Sequence, residues 1–269
     1  MRRPYSLSFV VPLTLVIVLL ATSCSFGSSS LTAPTDSERP LILVLYGDSL
    51  LTFPQNEAAI DAYTEMLEED LGAPVNVQLP AMGPCCIPSV IVHHLNSDRA
   101  TSQLERADVV IIESPISALG MPVIIAAGVE GFDPADCGGD DHQQCLRDSL
   151  ADYKNDVEEI FMLLTEAADP SETLIRAIDA YPPFVKEQLA ADTLQITNPY
   201  WQEAQEFFAE TAAEYGIPTA SVFAEFNGPD GTDDPQDRGL IATDRVHPNE
   251  AGALLIAELI HDLGYDFAA

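Results

Sequence analysis

Uninterrupted apolar runs alternate with helical spacing along this chain. Leu41 to Tyr46 reads Leu-Ile-Leu-Val-Leu-Tyr, as expected of a strand buried on both faces. From Asn56 to Leu71 the period becomes helical, with Ala59, Ile60, Tyr63, Met66 and Leu67 on one face and Gly72 as the stop. Val75 to Leu79 is a short second strand, and His93 and His94 fall in a helix beyond it. Ala107 to Glu113 is a third strand with an apolar centre, and Ser149 to Ala167 a long helix. Thr173 to Ala180 is a fourth strand, stopped by Pro182-Pro183. A helix from Pro199 to Tyr215 and a short fifth strand from Pro218 to Phe223 follow. Glu250 to Leu263 is the last helix, with Leu254, Leu255, Leu259 and Ile260 in its apolar set.

Alternating β and α with apolar strands predicts an α/β fold, a three-layer α/β/α sandwich around a parallel sheet of about five strands. At 269 residues, 47% of them hydrophobic, the chain can bury one substantial core, so one domain is the natural count. Right-handed crossovers put every strand's carboxyl end on one edge, where open α/β sheets carry their chemistry.

The first residues read as a targeting segment. Arg2 and Arg3 precede an apolar stretch from Leu7 to Ala21 that is short for a membrane span. It ends in Leu20-Ala21-Thr22-Ser23-Cys24, which resembles a bacterial lipoprotein box, although Ala21 stands where that box usually has leucine. The resemblance implies a signal peptide over 1–23, lipidation of Cys24, and export to the cell surface or periplasm. The polar, serine-rich stretch over 24–39 reads as a flexible tether, and 40–269 as the folded domain.

Charge narrows the partners. With 43 acidic and 11 basic side chains the formal net charge is −32. Nucleic acid needs a basic footprint and is excluded as a partner, and an anionic lipid surface would be repelled, leaving a lipid anchor as the only membrane link. Such a surface is soluble and self-repelling, and high salt would screen that repulsion. Two acidic loops, Asp133 to Asp141 and Asp230 to Asp237, lack the spacing of an EF-hand and read as solvated loops, with no metal assigned. Apart from Cys24 there are four cysteines, Cys85, Cys86, Cys137 and Cys145. In an exported chain they invite two disulfides with three possible connectivities. Because a bridge between neighbours is strained, at least one link from the Cys85/Cys86 pair to the Cys137–Cys145 loop is expected. The spacing matches no common zinc pattern.

Two short motifs carry candidate chemistry. Gly47-Asp48-Ser49-Leu50 directly follows the first strand, which delivers a serine to the carboxyl edge. Asp244-Arg245-Val246-His247-Pro248 precedes the last helix. A serine hydroxyl needs a base to take its proton, and His247 is the best candidate among the histidines. Asp244, three residues earlier in a loop, is close enough to hold the imidazole tautomer. No glycine-rich dinucleotide or phosphate loop is present, so no cofactor is implied.

From these blocks the chain resembles the GDSL-type, or SGNH, serine hydrolases. Tyr46-Gly47-Asp48-Ser49-Leu50 matches that family's first block, and Asp244 to Gly252 its last, over a span from about Pro40 to the C-terminus. The resemblance implies a flavodoxin-like sandwich with Ser49 as nucleophile, His247 as base and Asp244 as its partner. It also implies an oxyanion hole from the Ser49 N–H, a glycine after the second strand and an asparagine after the third. Gly83 is the candidate glycine. In place of Gly-x-Asn-Asp this chain has Glu113-Ser114-Pro115-Ile116-Ser117, which puts Ser117 at the asparagine position. An exported esterase of small or medium acyl esters, carbohydrate acetyl or lipid-like, is the reading that follows. A non-catalytic ligand-binding protein and an acyltransferase are the alternatives, and Leu119 to Gln144 is the expected rim or lid.

Overall fold

The structure is a computed structural model that describes residues 30–32, 39–47, 57–79, 88–115 and 137–267. Its elements run β1 (Leu41–Tyr46), α1 (Glu57–Leu71), β2 (Val75–Gln78), α2 (Pro88–Leu95), α3 (Asp98–Leu104), β3 (Val109–Glu113), α4 (Gln144–Ala167) and β4 (Leu174–Ile178). Then come α5 (Val185–Ala190), α6 (Leu194–Glu214), β5 (Thr219–Ala220), α7 (Val222–Asn227) and α8 (Glu250–His261). The strands form one five-stranded parallel sheet in the order β2-β1-β3-β4-β5. This is the flavodoxin-like order, whose switch point lies between β1 and β3. β3 and β4 are buried along their whole length, and β1 except at Ile42. α1 packs on α8, while α4 packs on α2, α3 and α6, which gives the two outer layers of the sandwich.

Several boundaries differ from expectation for local reasons. α4 starts before Ser149 because the chain ahead of it folds back at Gly138 and Gly139, both at positive φ, and the Gln144 N–H donates to the Gly138 carbonyl. Cys137 and Cys145 face each other across this turn with Cα atoms 4.9 Å apart. The loop's two cysteines are thus within reach of one another across a tight turn, in place of the link expected from this loop to Cys85 or Cys86, which lie outside the described residues. α6 begins before Pro199, which stands inside the helix; Pro199 and Gln195, whose carbonyl loses its helical donor, both lie on the exposed face. The fifth strand is cut short at Ala220. There the Ser221 hydroxyl accepts the Ala224 N–H and starts α7, so an N-cap overrides the β-branched Val222. On α8 the buried set is Ala253, Ile256, Ala257 and Ile260, while Leu254 is 44% exposed rather than part of the apolar face.

Arg176 in the middle of β4 is only 1% exposed. Its guanidinium donates to the carbonyls of Ile175, Gly264 and Asp266. Burial pulls its pKa down, opposed by Tyr63 and Asp266. The tail after α8 thus closes over a buried cation. Part of the stretch expected to be a flexible tether docks on the same tail: the Leu31 N–H donates to the Tyr265 carbonyl at 2.8 Å, Leu31 is buried, and Ser30 pairs with Asp266. Arg39 makes a two-pronged contact with Asp108. No described helix is long and apolar enough to cross a membrane.

Candidate active site

The carboxyl ends of β1, β3 and β4 deliver Gly47, Glu113 and Asp179 to one edge. The loop before α8 brings Asp244 and His247. That loop is shaped by its own backbone. Ile241 and Pro248 form an antiparallel bridge, the Ala242 N–H donates to the His247 carbonyl at 2.8 Å, and the Asn249 N–H donates to the Leu240 carbonyl at 2.9 Å. Arg245 sits at φ +69°, which lets the tip turn so that its N–H reaches the Ala242 carbonyl. Asn249 then caps α8, its Oδ1 accepting the N–H groups of Ala251 and Gly252 while its Nδ2 donates to the Gly239 carbonyl. Gly252 is required here, since a Cβ on it would run into the Leu240 carbonyl oxygen.

Within this frame the His247 Nδ1 lies 2.7 Å from Asp244 Oδ2. The other carboxylate oxygen accepts the N–H groups of Val246 and His247, each at 3.0 Å. Burial works to raise the Asp244 pKa, but the two N–H donors and the imidazole outweigh it and hold the carboxyl below the usual range. Asp244 is thus an anion at neutral pH. The pair has the geometry of a base and its orienting carboxylate: an Nδ1–H held by Asp244 leaves Nε2 as the proton acceptor. Of the expected site residues, the structure brings Asp244 and His247 together. Ser49, Gly83, Ser117, Cys24, Cys85 and Cys86 lie outside the described residues, as does the expected rim over residues 119–136.

The β1–β3 side is organised around an acid that sequence reasoning passed over. Glu113 ends β3 and is 1% exposed. Tyr46 pairs with Ile112 in the parallel register, so Gly47 and Glu113 are level on neighbouring strands. A Cβ on Gly47 would come within 2.7 Å of the Glu113 Cβ. Ser114 follows, buried, its N–H on the Ile178 carbonyl and its hydroxyl 2.7 Å from that of Tyr153 in α4. Asp179, just past β4, accepts the Ser221 hydroxyl and the Phe223 N–H, both at 2.7 Å. Burial pushes its pKa up to about 6, partly countered by these donors. The sequence signal for Asp179 and Tyr181 was the Pro182-Pro183 stop, which marks a strand end at the active edge.

The acidic loop over 230–237 is pinned rather than merely solvated. Asp234 accepts the N–H groups of Lys186, Gln236 and Asp237. Asp237 pairs with Lys186, and the Asp230 carbonyl accepts from Asn198 and Gln202. Among the described residues no three metal-ligating side chains converge.

Solved structures resemble this one. The lipase Lip_vut3 from a goat rumen metagenome matches with a TM-score of 0.61 at 20% identity, over 84% of this chain and 98% of that one. A protein from Parabacteroides merdae designated a GDSL-like lipase matches with a TM-score of 0.55 at 14% identity, over 84% and 95%. The fold is that of the GDSL-like lipases. A lipase/acylhydrolase from Enterococcus faecalis shares it, with a TM-score of 0.52 at 15% identity over 83% of this chain and 94% of that one. No family model and no curated protein matches the chain.

Proposed function

We propose that this protein is an exported serine esterase in which Ser49 is the nucleophile, His247 the base and Asp244 the group that orients it. The observation that carries this reading is the Asp244–His247 pair at the active edge of a lipase-like fold whose first strand runs into Gly-Asp-Ser-Leu. His247 Nε2 takes the hydroxyl proton as Ser49 attacks the ester carbonyl, and returns it to the departing alcohol. Water, activated in the same way, then releases the acid from the acyl-enzyme. The Ser49 N–H, Gly83 and Ser117 are the candidate donors to the oxyanion. Small or medium acyl esters, carbohydrate acetyl or lipid-like, are the proposed substrates.

Lipidation at Cys24 and export complete the proposal. The docking of Ser30 and Leu31 supports an anchor remote from the site, because Tyr265 and Asp266 follow the far end of α8, about 18 Å from its start at the histidine loop. Loss of lipid labelling in Cys24→Ala is the expected outcome, and unchanged labelling would reject the anchor.

The test of the esterase is hydrolysis of p-nitrophenyl acetate and butyrate at pH 8, at low and high salt, with Ser49→Ala as control. Turnover that disappears in Ser49→Ala, together with fluorophosphonate labelling of Ser49, is the expected result. A folded protein that neither turns over nor labels is a ligand-binding protein instead. Glu113-Ser114-Pro115 in place of Gly-x-Asn-Asp is what favours that second reading. Acyl transfer to added alcohols exceeding hydrolysis would make the chain an acyltransferase.

A further inference from the structure

The peptide unit that immediately precedes the histidine is held at both ends. Its carbonyl, on Val246, accepts the Tyr181 hydroxyl at 2.8 Å. Its N–H, on His247, donates to Asp244 Oδ1 at 3.0 Å, and the partner oxygen of that carboxylate meets the imidazole at 2.7 Å. Peptide plane and ring therefore share one carboxylate. That carboxylate rides on an exposed loop tip, since the Asp244 side chain is 47% exposed. A loop held only by itself would carry the ring along with every motion of its tip. Arg245 ties the tip to Glu187 of α5, and Tyr181 ties the peptide beside the ring to the end of β4.

Tyr181 is well fixed for that task. It is 1% exposed and stacks on Phe226 of α7 with ring centroids 4.4 Å apart. The N-terminus of α7 is anchored to Asp179 at the end of β4, and Asn227 at its other end donates to the Pro182 carbonyl at 3.0 Å. The two prolines after Tyr181 limit how far its backbone can turn.

We propose that Tyr181 is a positioning residue for His247: by holding the Val246 carbonyl it fixes the Val246–His247 peptide plane, and with it the direction of the imidazole. The proposal rests on the esterase reading for its kinetic consequence but not for its structural one. Tyr181→Phe keeps the ring and the stack on Phe226 and removes the hydroxyl that holds the Val246 carbonyl. Its kcat on p-nitrophenyl butyrate should fall roughly fivefold to tenfold, the range set by one lost hydrogen bond. KM should stay within about twofold, because substrate binding does not use the hydroxyl. The low-field proton resonance of the His247 Nδ1–H should shift and broaden in the variant, while the melting temperature changes little.

An unchanged kcat and an unchanged ring resonance in Tyr181→Phe would overturn the proposal. So would a fall in kcat matched by a loss of folded protein at the assay temperature, which would make the hydroxyl a merely structural contact. If the wild type shows no Ser49-dependent turnover, the esterase reading fails by itself. The resonance comparison still decides whether Tyr181 holds the ring.

Discussion

On the histidine side of the active edge, most bonds of residues 239–252 are made within that stretch, with Tyr181 and Glu187 holding it from outside. The bridge at Ile241 and Pro248, the Asn249 cap and the two-oxygen use of Asp244 all lie within that stretch. On the β1–β3 side the partners come from distant parts of the chain: Glu113 against Gly47, Ser114 on Tyr153, Asp179 on Ser221 and Phe223. The first side is largely local, tied to the rest of the fold at Val246 and Arg245. The second exists only when the sheet and α4 are assembled. Substitutions on the first should therefore cost chemistry with little stability, and those on the second should cost both.

Asp244→Asn is the sharpest test of the local side. Asparagine can still accept the Val246 and His247 N–H groups, but it turns an N–H toward Nδ1 and selects the wrong tautomer. A loss of about ten-thousand-fold in kcat is expected on the triad precedent, with the fold intact. His247→Ala should cost at least as much. A variant of either kind that retained a tenth of wild-type turnover would remove the pair from the mechanism.

The same contrast explains what could be read from the chain. Asp244 and His247 are spaced so that one loop can pair them, and β1, α1 and β3 announce themselves by period alone. β5 is shorter than expected and gives way to α7 because Val222 and Phe223 favour a strand until Asp179 claims the Phe223 N–H and the Ser221 hydroxyl the Ala224 N–H. That decision is tertiary and leaves no periodic mark. Glu113 reads as the polar end of a strand, and only the register with Tyr46 and Gly47 reveals that its side chain occupies the space a residue 47 side chain would need. Arg176 is similar, since nothing in Leu-Ile-Arg-Ala-Ile says that the C-terminal carbonyls will close over it. The direct pairing of Cys137 with Cys145 depends on the Gly138–Gly139 turn, not on how the cysteines are distributed along the chain.

Gly47→Ala probes the assembled side. Its Cβ would press on the buried Glu113 side chain, which has no solvent to move into. Overpacking of this kind costs about 1–3 kcal/mol, and denaturant titration should show it together with reduced esterase activity. The double variant Gly47→Ala, Glu113→Gly should lose less than the two single losses summed, since the Glu113 Cβ and carboxylate that the new methyl would meet are both gone. Strict additivity in that cycle would mean that the two positions do not meet and would dissolve the contrast between the two sides.

Asp179 stands between the sides, with the Tyr153 hydroxyl held on Ser114 near it and Tyr181 two residues along the chain. Its pKa is raised from 3.8 to about 6 by burial. The folded state therefore holds the proton more tightly than the unfolded chain, and the associated stability is fully present below pH 3.8 and lost as pH rises through about 6. Asp179→Asn removes the ionisation; its carbonyl oxygen can keep the Phe223 N–H, while its amide nitrogen donates to the Ser221 hydroxyl oxygen instead of accepting from it. Its stability relative to wild type should climb between pH 4 and 6 by about 1–3 kcal/mol and level off above. Melting curves at pH 4, 5, 6 and 8 measure this directly. A constant difference across that range would mean that Asp179 titrates alike in both states. Its two hydrogen bonds would then offset the whole cost of its burial, and β4 would meet α7 through a permanently charged cap.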